Sequence, residues 1–268
     1  MTDSLTRREG FWRGCRRLGS AGVIAVLLVA GGCASDDDDL VYEERPVDEL
    51  YNEAMDAMEV GNFQSSAQLF DEVERQHPYS PWATKSQLMA AYAFYQGQQY
   101  DEAVAALDRF IQLHPANPDV PYAHYMKGLC YYEQISDVNR DQEMTELARK
   151  SFEELVSRYP DSEYSRDGRV KLDLVYDHLA GKEMTIGRYY LNQGHYLASI
   201  NRFKRVLDLY QTTTHVPEAL HRLVEAYSSL GLNEEAKKMA AVLGYNFPGS
   251  EWYVDSYDLV EDETASSN

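Results

Sequence analysis

Between Lys85 and Pro115 the chain reads KSQLMAAYAFYQGQQYDEAVAALDRFIQLHP, with apolar positions recurring at the spacing of one helix face. The pattern predicts two short helices and a stop. The first ends at Gly97. Asp101 is placed to cap the second, with Glu102 adding negative charge to its first turn, where the helix dipole favours it. Ala103, Leu107 and Phe110 form its apolar stripe, and Pro115 closes the unit. Neither helix can bury that stripe alone, so the pair needs neighbours.

Those neighbours are visible along the chain. GNFQSSAQLFDEVERQHP ends at Pro78, ELARKSFEELVSRYP at Pro160 and GLNEEAKKMAAVLGYNFP at Pro248, while GHYLASINRFKRVLDLY runs from Gly194 to Tyr210. Each unit pairs a small residue with an apolar or small one four positions on: Ser66 with Phe70, Ala103 with Leu107, Ala148 with Phe152, Ser199 with Phe203, Ala236 with Ala240. The spacing resembles the tetratricopeptide repeat, whose period is about 34 residues. Pro78 and Pro115 are 37 positions apart and Pro115 and Pro160 are 45 apart, so the third unit holds an insertion. The expected fold is all-α: a right-handed superhelical solenoid of about five helix pairs plus one extra helix. The pairs are placed at 47–77, 82–114, 119–159, 183–210 and 217–247. An unpaired helix at 165–180 ends at Gly181 and divides N-terminal repeats (47–164) from C-terminal repeats (165–260). A polar tail at 261–268 is expected to be disordered. The competing reading is an irregular helical bundle.

The N-terminus follows different rules. Arg7, Arg8, Arg13, Arg16 and Arg17 precede an apolar run from Ala21 to Ala30, which falls short of the ~20 residues that span a bilayer. This is the pattern of an export signal. Ala30-Gly31-Gly32-Cys33 resembles a bacterial lipobox, although the usual leucine three places before the cysteine is alanine. That resemblance implies removal of residues 1–32 and acylation of Cys33. Ala34 stands where an inner-membrane retention aspartate would be, so the implied destination is the outer membrane, facing the periplasm. The alternative is an ordinary secretory signal with a chance cysteine. The Arg7-Arg8 pair raises a twin-arginine route, which the following residues fit poorly. Residues 33–46, with Asp36 to Asp39, Glu43 and Glu44, read as an acidic lipidated linker; calcium ligation would need spaced ligands and a glycine turn.

Composition narrows the function. The net charge is −19, and loss of residues 1–32 removes five arginines against Asp3 and Glu9, leaving −22. Nucleic-acid binding is excluded on charge. After processing only Cys130 remains as a free thiol, so no intramolecular disulfide forms, and its apolar setting suits a small core residue. The chain contains no HExxH, G-x-S-x-G, P-loop or paired-cysteine motif, and its seven histidines are scattered. His77 and His114 precede prolines at helix ends, where a cation complements the dipole. No catalytic residue, metal or cofactor is predicted.

The 21 tyrosines suggest a binding surface. Solenoids bind on the face lined by the first helix of each pair. There the repeats place Tyr51, Met55 and Met58, then Leu88, Tyr92 and Tyr95, then Tyr122, Tyr125 and Tyr132. This is an aromatic groove suited to an extended or partly helical peptide with aromatic side chains. The alternative is that half of these tyrosines pack between helices. In the last two repeats the same positions hold Met184, Arg188 and Leu191, then His221, Glu225 and Ser228. Two chemistries predict two partners.

Several runs are more specific: Gln76 to Pro81; Asp108-Arg109-Phe110-Ile111 with Leu113, Pro115 and Pro118; Tyr122 with Tyr125-Met126-Lys127-Gly128; Asn139-Arg140-Asp141; Arg158 to Ser162; Tyr189-Tyr190 before Gly194; and Ile200-Asn201-Arg202. On these residues the chain, from about Val47 to Phe247, resembles the BamD family of lipoproteins of the bacterial β-barrel assembly machinery. The resemblance implies a non-enzymatic scaffold. Its N-terminal repeats would receive the C-terminal targeting segment of unfolded outer-membrane barrel proteins, which characteristically ends in an aromatic residue. Its C-terminal repeats would dock a POTRA domain of the barrel subunit BamA through Arg188, Asn201 and Arg202, with a salt bridge at Arg202. Other assembly lipoproteins and the outer membrane, through the lipid anchor, complete the implied partners. Gln211 replaces an expected proline after Tyr210. The alternatives are a pilotin or a hydrolase or protease adaptor among outer-membrane repeat lipoproteins, and a periplasmic enzyme.

Overall fold

Each proline-ended unit folds as a helical hairpin stacked on the next. The computed structural model describes residues 44–266, with side chains to residue 261, as one compact unit. The expected signal peptide at 1–32, the expected lipidation site Cys33 and the expected linker as far as residue 43 lie outside the described residues. Among these there are eleven helices and no strand: α1 Val47–Glu59, α2 Phe63–Gln76, α3 Pro81–Gln96, α4 Tyr100–Leu113, α5 Val120–Tyr132, α6 Glu143–Arg158, α7 Glu163–Asn192, α8 Tyr196–Leu209, α9 Val216–Ser229, α10 Asn233–Asn246 and α11 Glu251–Ser266. Every helix packs on its sequence neighbours, as a repeat array requires. The hairpin register keeps Phe70, Phe110, Phe152 and Phe203 on the buried faces of α2, α4, α6 and α8. The main core runs from Ala91 in α3 to Leu243 in α10, and a smaller one joins Leu50, Tyr51 and Ala54 to Phe70, Val73 and Ala90.

The turn within four of the hairpins is the same. Asn62 N–H bonds Ala57 C=O, Gln99 N–H bonds Phe94 C=O, His195 N–H bonds Tyr190 C=O and Leu232 N–H bonds Tyr227 C=O. Each bond closes around one left-handed residue: Gly61, Gln98, Gly194 and Gly231. Three use glycine; the fourth forces glutamine to φ +58°. A side chain there costs about 1–2 kcal/mol, partly offset by the chain entropy glycine would lose. Gln98→Gly is therefore expected to raise stability by about 0.5–1 kcal/mol. Urea unfolding checks it, as a higher midpoint with an unchanged slope.

Four boundaries differ from the sequence reading. Gly181 does not end a helix: the unpaired helix and the first helix of the fourth pair are one 30-residue helix, α7. Glycine inside a helix costs about 1 kcal/mol, which the burial of the apolar Leu179, Ala180 and Met184 outweighs. A Cβ at 181 would lie 3.3 Å from His215 Nε2, so the glycine serves close packing. The 164/165 divide therefore falls in the first turn of α7. Asp101 is not a cap, because α4 starts at Tyr100 with Gln99 at the N-cap. Finally, a helix occupies Glu251–Ser266, where no helix was expected and a tail was placed from Glu261. That span holds no glycine or proline to stop it, and Tyr257 O–H donates to Glu261 one turn on.

Candidate functional site

The first-helix face holds a cluster of tyrosines supplied by three helices. Tyr92 and Tyr95 come from α3, Tyr122 and Tyr125 from α5, and Tyr164 from the start of α7; all are half-buried. Tyr164 lies 5.1 Å from Tyr122 and 5.8 Å from Tyr125, between ring centroids. Burial, with Tyr92, Tyr164 and Tyr95 nearby, pushes the Tyr122 hydroxyl up to about 12. Burial and then its hydrogen bond to Asp167 also raise Tyr125. Both rings stay neutral at physiological pH and offer apolar faces with polar tips.

Beside this cluster is an open pocket of about 400 Å³ whose lining includes Lys85, Leu88, Asn117, Asp119, Tyr122 and Tyr164. Its origin lies in the repeat pattern. The residue four places after each unit end is a ring in four units: Trp82 after Pro78, Tyr164 after Pro160, His215 after Gln211 and Trp252 after Pro248. Trp82 covers Tyr51 at 4.6 Å, Tyr164 covers Tyr122 and Tyr125, and Trp252 covers His221 at 5.2 Å. After Pro115 that position is Asp119, and the residue it would cover is Leu88. One ring of the ladder is missing, and the pocket opens there.

The expected groove residues divide accordingly. Leu88 and Tyr122 line the pocket, and Tyr92, Tyr95 and Tyr125 flank it. Tyr51 does not line an open groove. It is only 7% exposed, wedged against Phe70 at 5.3 Å and beneath Trp82. Met55 is half-buried on the small N-terminal core. Tyr132 stands apart, beneath Lys171 Nζ at 5.0 Å from its ring centre. The sequence reading missed Tyr164, Lys85 and Asn117. The period that places Trp82 also places Tyr164, and that signal would have found it.

The expected docking residues have intramolecular partners. Arg188 Nη1 donates to both carboxylate oxygens of Glu218 at 2.9 Å. Arg202 Nη1 donates to Glu183 at 3.0 Å, and Arg205 approaches the same carboxylate at 3.4 Å. Asn201 is exposed. In the C-terminal repeats Met184 and His221 are buried rather than on an open face. Burial likewise pushes the Cys130 thiol up to about 12, consistent with a core residue.

His77 and His114 are also bound. His77 Nε2 contacts Arg45 C=O at 2.7 Å, tying the end of α2 to the segment before α1, and His114 Nε2 contacts Gln87 Oε1 at 2.9 Å, tying the end of α4 to α3 of its own hairpin. One Ser-His-Glu group, Ser256, His221 and Glu225, has the composition of a catalytic relay. His221 Nδ1 lies 2.8 Å from Ser256 Oγ, and the same hydroxyl lies 2.8 Å from Trp252 C=O, one turn earlier on α11. The group, buried at Ser256 and His221, fixes α11 to α9.

Stacked hairpins with a ring-lined pocket where one rung is missing define a helical-repeat protein. The chain belongs to the YfiO family of outer membrane lipoproteins, whose model matches residues 43–243. It is 56% identical over 244 residues to outer membrane protein assembly factor BamD of Caulobacter vibrioides, covering 89% of this chain and 80% of that protein. Identity to BamD of Rickettsia prowazekii is 48%, covering 89% and 95%. BamD of Neisseria meningitidis serogroup A is 34% identical, covering 87% and 93%. Among the described residues no helix is long and apolar enough to cross a membrane.

Proposed function

We propose that this chain is a non-catalytic receptor and scaffold in outer membrane protein assembly, held at the periplasmic face of the outer membrane by lipid on Cys33. Its N-terminal repeats receive the aromatic-ended targeting segment of unfolded outer-membrane proteins. Its C-terminal repeats, with Asn201 and Arg202 on α8 and Arg188 on α7, dock a POTRA domain of BamA. Other assembly lipoproteins join the same complex. The observation that carries the receptor reading is the open pocket at Leu88, Tyr122 and Tyr164, set beside a cluster of half-buried tyrosines from α3, α5 and α7. Family membership and the named relatives support the assembly role.

The two faces are tested together. Tyr92→Ala with Tyr125→Ala removes two rings flanking the pocket. It is expected to weaken binding of a peptide ending in Phe by tenfold or more, at about 1–2 kcal/mol per aromatic anchor. Binding of the isolated POTRA domain, measured by calorimetry on the same protein, is expected to be unchanged. Loss of both would show that the two halves do not act separately.

A further inference from the structure

The turn that follows each helix pair is the same in all five. Ser80 N–H bonds His77 C=O and Asn117 N–H bonds His114 C=O, both at 2.9 Å, and Ser162, Thr213 and Ser250 repeat the bond to Tyr159, Tyr210 and Phe247. The third residue of the turn is Ala116, Asp161, Thr212 or Gly249 in four pairs and Tyr79 in the first. A turn that forms on alanine or glycine does not need a ring. Tyr79 is fully exposed, and among the described residues its side chain makes no hydrogen bond or ring contact. Pro78 and Pro81 beside it are exposed, and so is part of Trp82, whose ring centre lies 5.8 Å from Lys85 Nζ. The chain enters the body at this same corner. Arg45 N–H donates to Gln76 Oε1 at 2.8 Å, and Arg45 C=O meets His77 Nε2 at 2.7 Å. Cys33 stands eleven residues before Glu44, a reach of at most about 40 Å.

We propose that this corner, Tyr79 with Trp82, rests in the headgroup region of the membrane that carries the anchor. Tyr and Trp favour that depth, where the ring meets the apolar boundary and the O–H or N–H stays wet, and a lysine beside them reaches the phosphates. The inference rests on the reading of Cys33 as lipidated, and it adds a second, reversible contact made by the protein itself. A flexible chain of eleven residues has its ends about 20 Å apart on average, so the corner where it enters is the part of the body held nearest the lipid. A contact too weak to hold a free protein is populated once the tether makes it intramolecular. Charge selects the lipid. The chain carries −19 overall and Asp36 to Asp39 lie within the tether, so an anionic surface repels it and a zwitterionic one suits it.

The test uses the lipidated chain in phosphatidylcholine vesicles whose acyl chains carry bromine near the headgroup, a contact quencher of tryptophan. With residues 1–32 removed, Trp82 and Trp252 are the tryptophans that remain, so Trp252→Phe reports Trp82 alone and Trp82→Phe reports Trp252 alone. An interfacial ring sits about 5–10 Å into the boundary, and Trp82 emission is expected to fall at least about twofold against unbrominated vesicles. Trp252, on α11, is expected to keep its emission. Tyr79→Glu is expected to abolish most of the Trp82 quenching while the lipid keeps the chain on the vesicles. Unquenched Trp82 on a chain that still floats with the vesicles overturns the inference and leaves lipidation standing. Equal quenching of Trp252 also overturns it, because the body would then lie on the lipid without preference. Quenching unmoved in Tyr79→Glu overturns the role of Tyr79. A Trp82 shift that appears without vesicles and grows with protein concentration overturns the membrane contact and gives the corner to a second copy of the chain. A chain that fails to float and carries an unmodified Cys33 by mass overturns both the inference and the reading beneath it.

Discussion

Gly187→Ala is expected to lower the melting temperature by roughly 4–8 °C, against the usual sense of a glycine-to-alanine change in a helix. Helix propensity alone would favour alanine by about 1 kcal/mol. Packing decides the sign. A Cβ at 187 would stand 2.4 Å from Phe203 Cε1 and 2.8 Å from both Cδ1 and Cζ, where carbon contacts settle near 3.5–4.0 Å. Phe203 is fully buried in α8, so its ring has no free space to enter. Overpacking of this kind costs about 3 kcal/mol at the upper end of its usual range, leaving a net loss near 2 kcal/mol. For a protein of this size each kcal/mol shifts the midpoint by about 2–4 °C. Phe203→Leu in the Gly187→Ala background is expected to recover part of the loss, with a coupling of at least about 1 kcal/mol between the two sites. Gly128 meets Phe152 in the same way at 2.5 Å, so one hairpin tests the other. Additive losses in the double variant would show that the ring moves aside.

This contact marks a limit of sequence reading. The period and the proline stops place four of the five hairpins to within a few residues, because amphipathic spacing and chain breaks are local. What they miss is decided across helices. Gly181 looks like a stop, yet its ~1 kcal/mol penalty is small beside the side chains α7 buries on either side. Tyr51 looks like a groove residue, and Trp82 of the next repeat covers it. The pocket arises from an absence: Asp119 stands where other units carry Trp82, Tyr164, His215 or Trp252. A hydrophobic pattern registers what is present on each face and passes over a missing ring. Comparing equivalent positions between repeats recovers it. The partner of Arg202 was hidden for another reason. Glu183 lies 19 positions earlier on α7, and only the packing of α8 back against that helix joins them.

That pairing changes what a charge reversal at Arg202 measures. Glu183 is only 7% exposed and faces both Arg202 and Arg205. Arg202→Glu would set two carboxylates against each other with one half-exposed arginine between them. Removing one partner of a largely buried pair costs about 3–5 kcal/mol; Arg205 offsets part of this, so a loss of about 2–4 kcal/mol in unfolding free energy is expected. Binding to a POTRA domain would then fall because α8 is displaced, whatever the interface. The combination of Arg202→Glu with Glu183→Arg separates the causes. It restores opposite charges across α7 and α8, while Arg205, 52% exposed at its side chain, can turn away from the new arginine. Urea unfolding is expected to show recovery of at least half of the lost stability, a coupling available only to groups in contact. If Arg202 also faces the partner, the refolded swap still fails to bind, since a glutamate now stands at position 202. Binding that returns with stability would assign Arg202 to holding Glu183 and leave exposed Asn201 as the docking residue on α8.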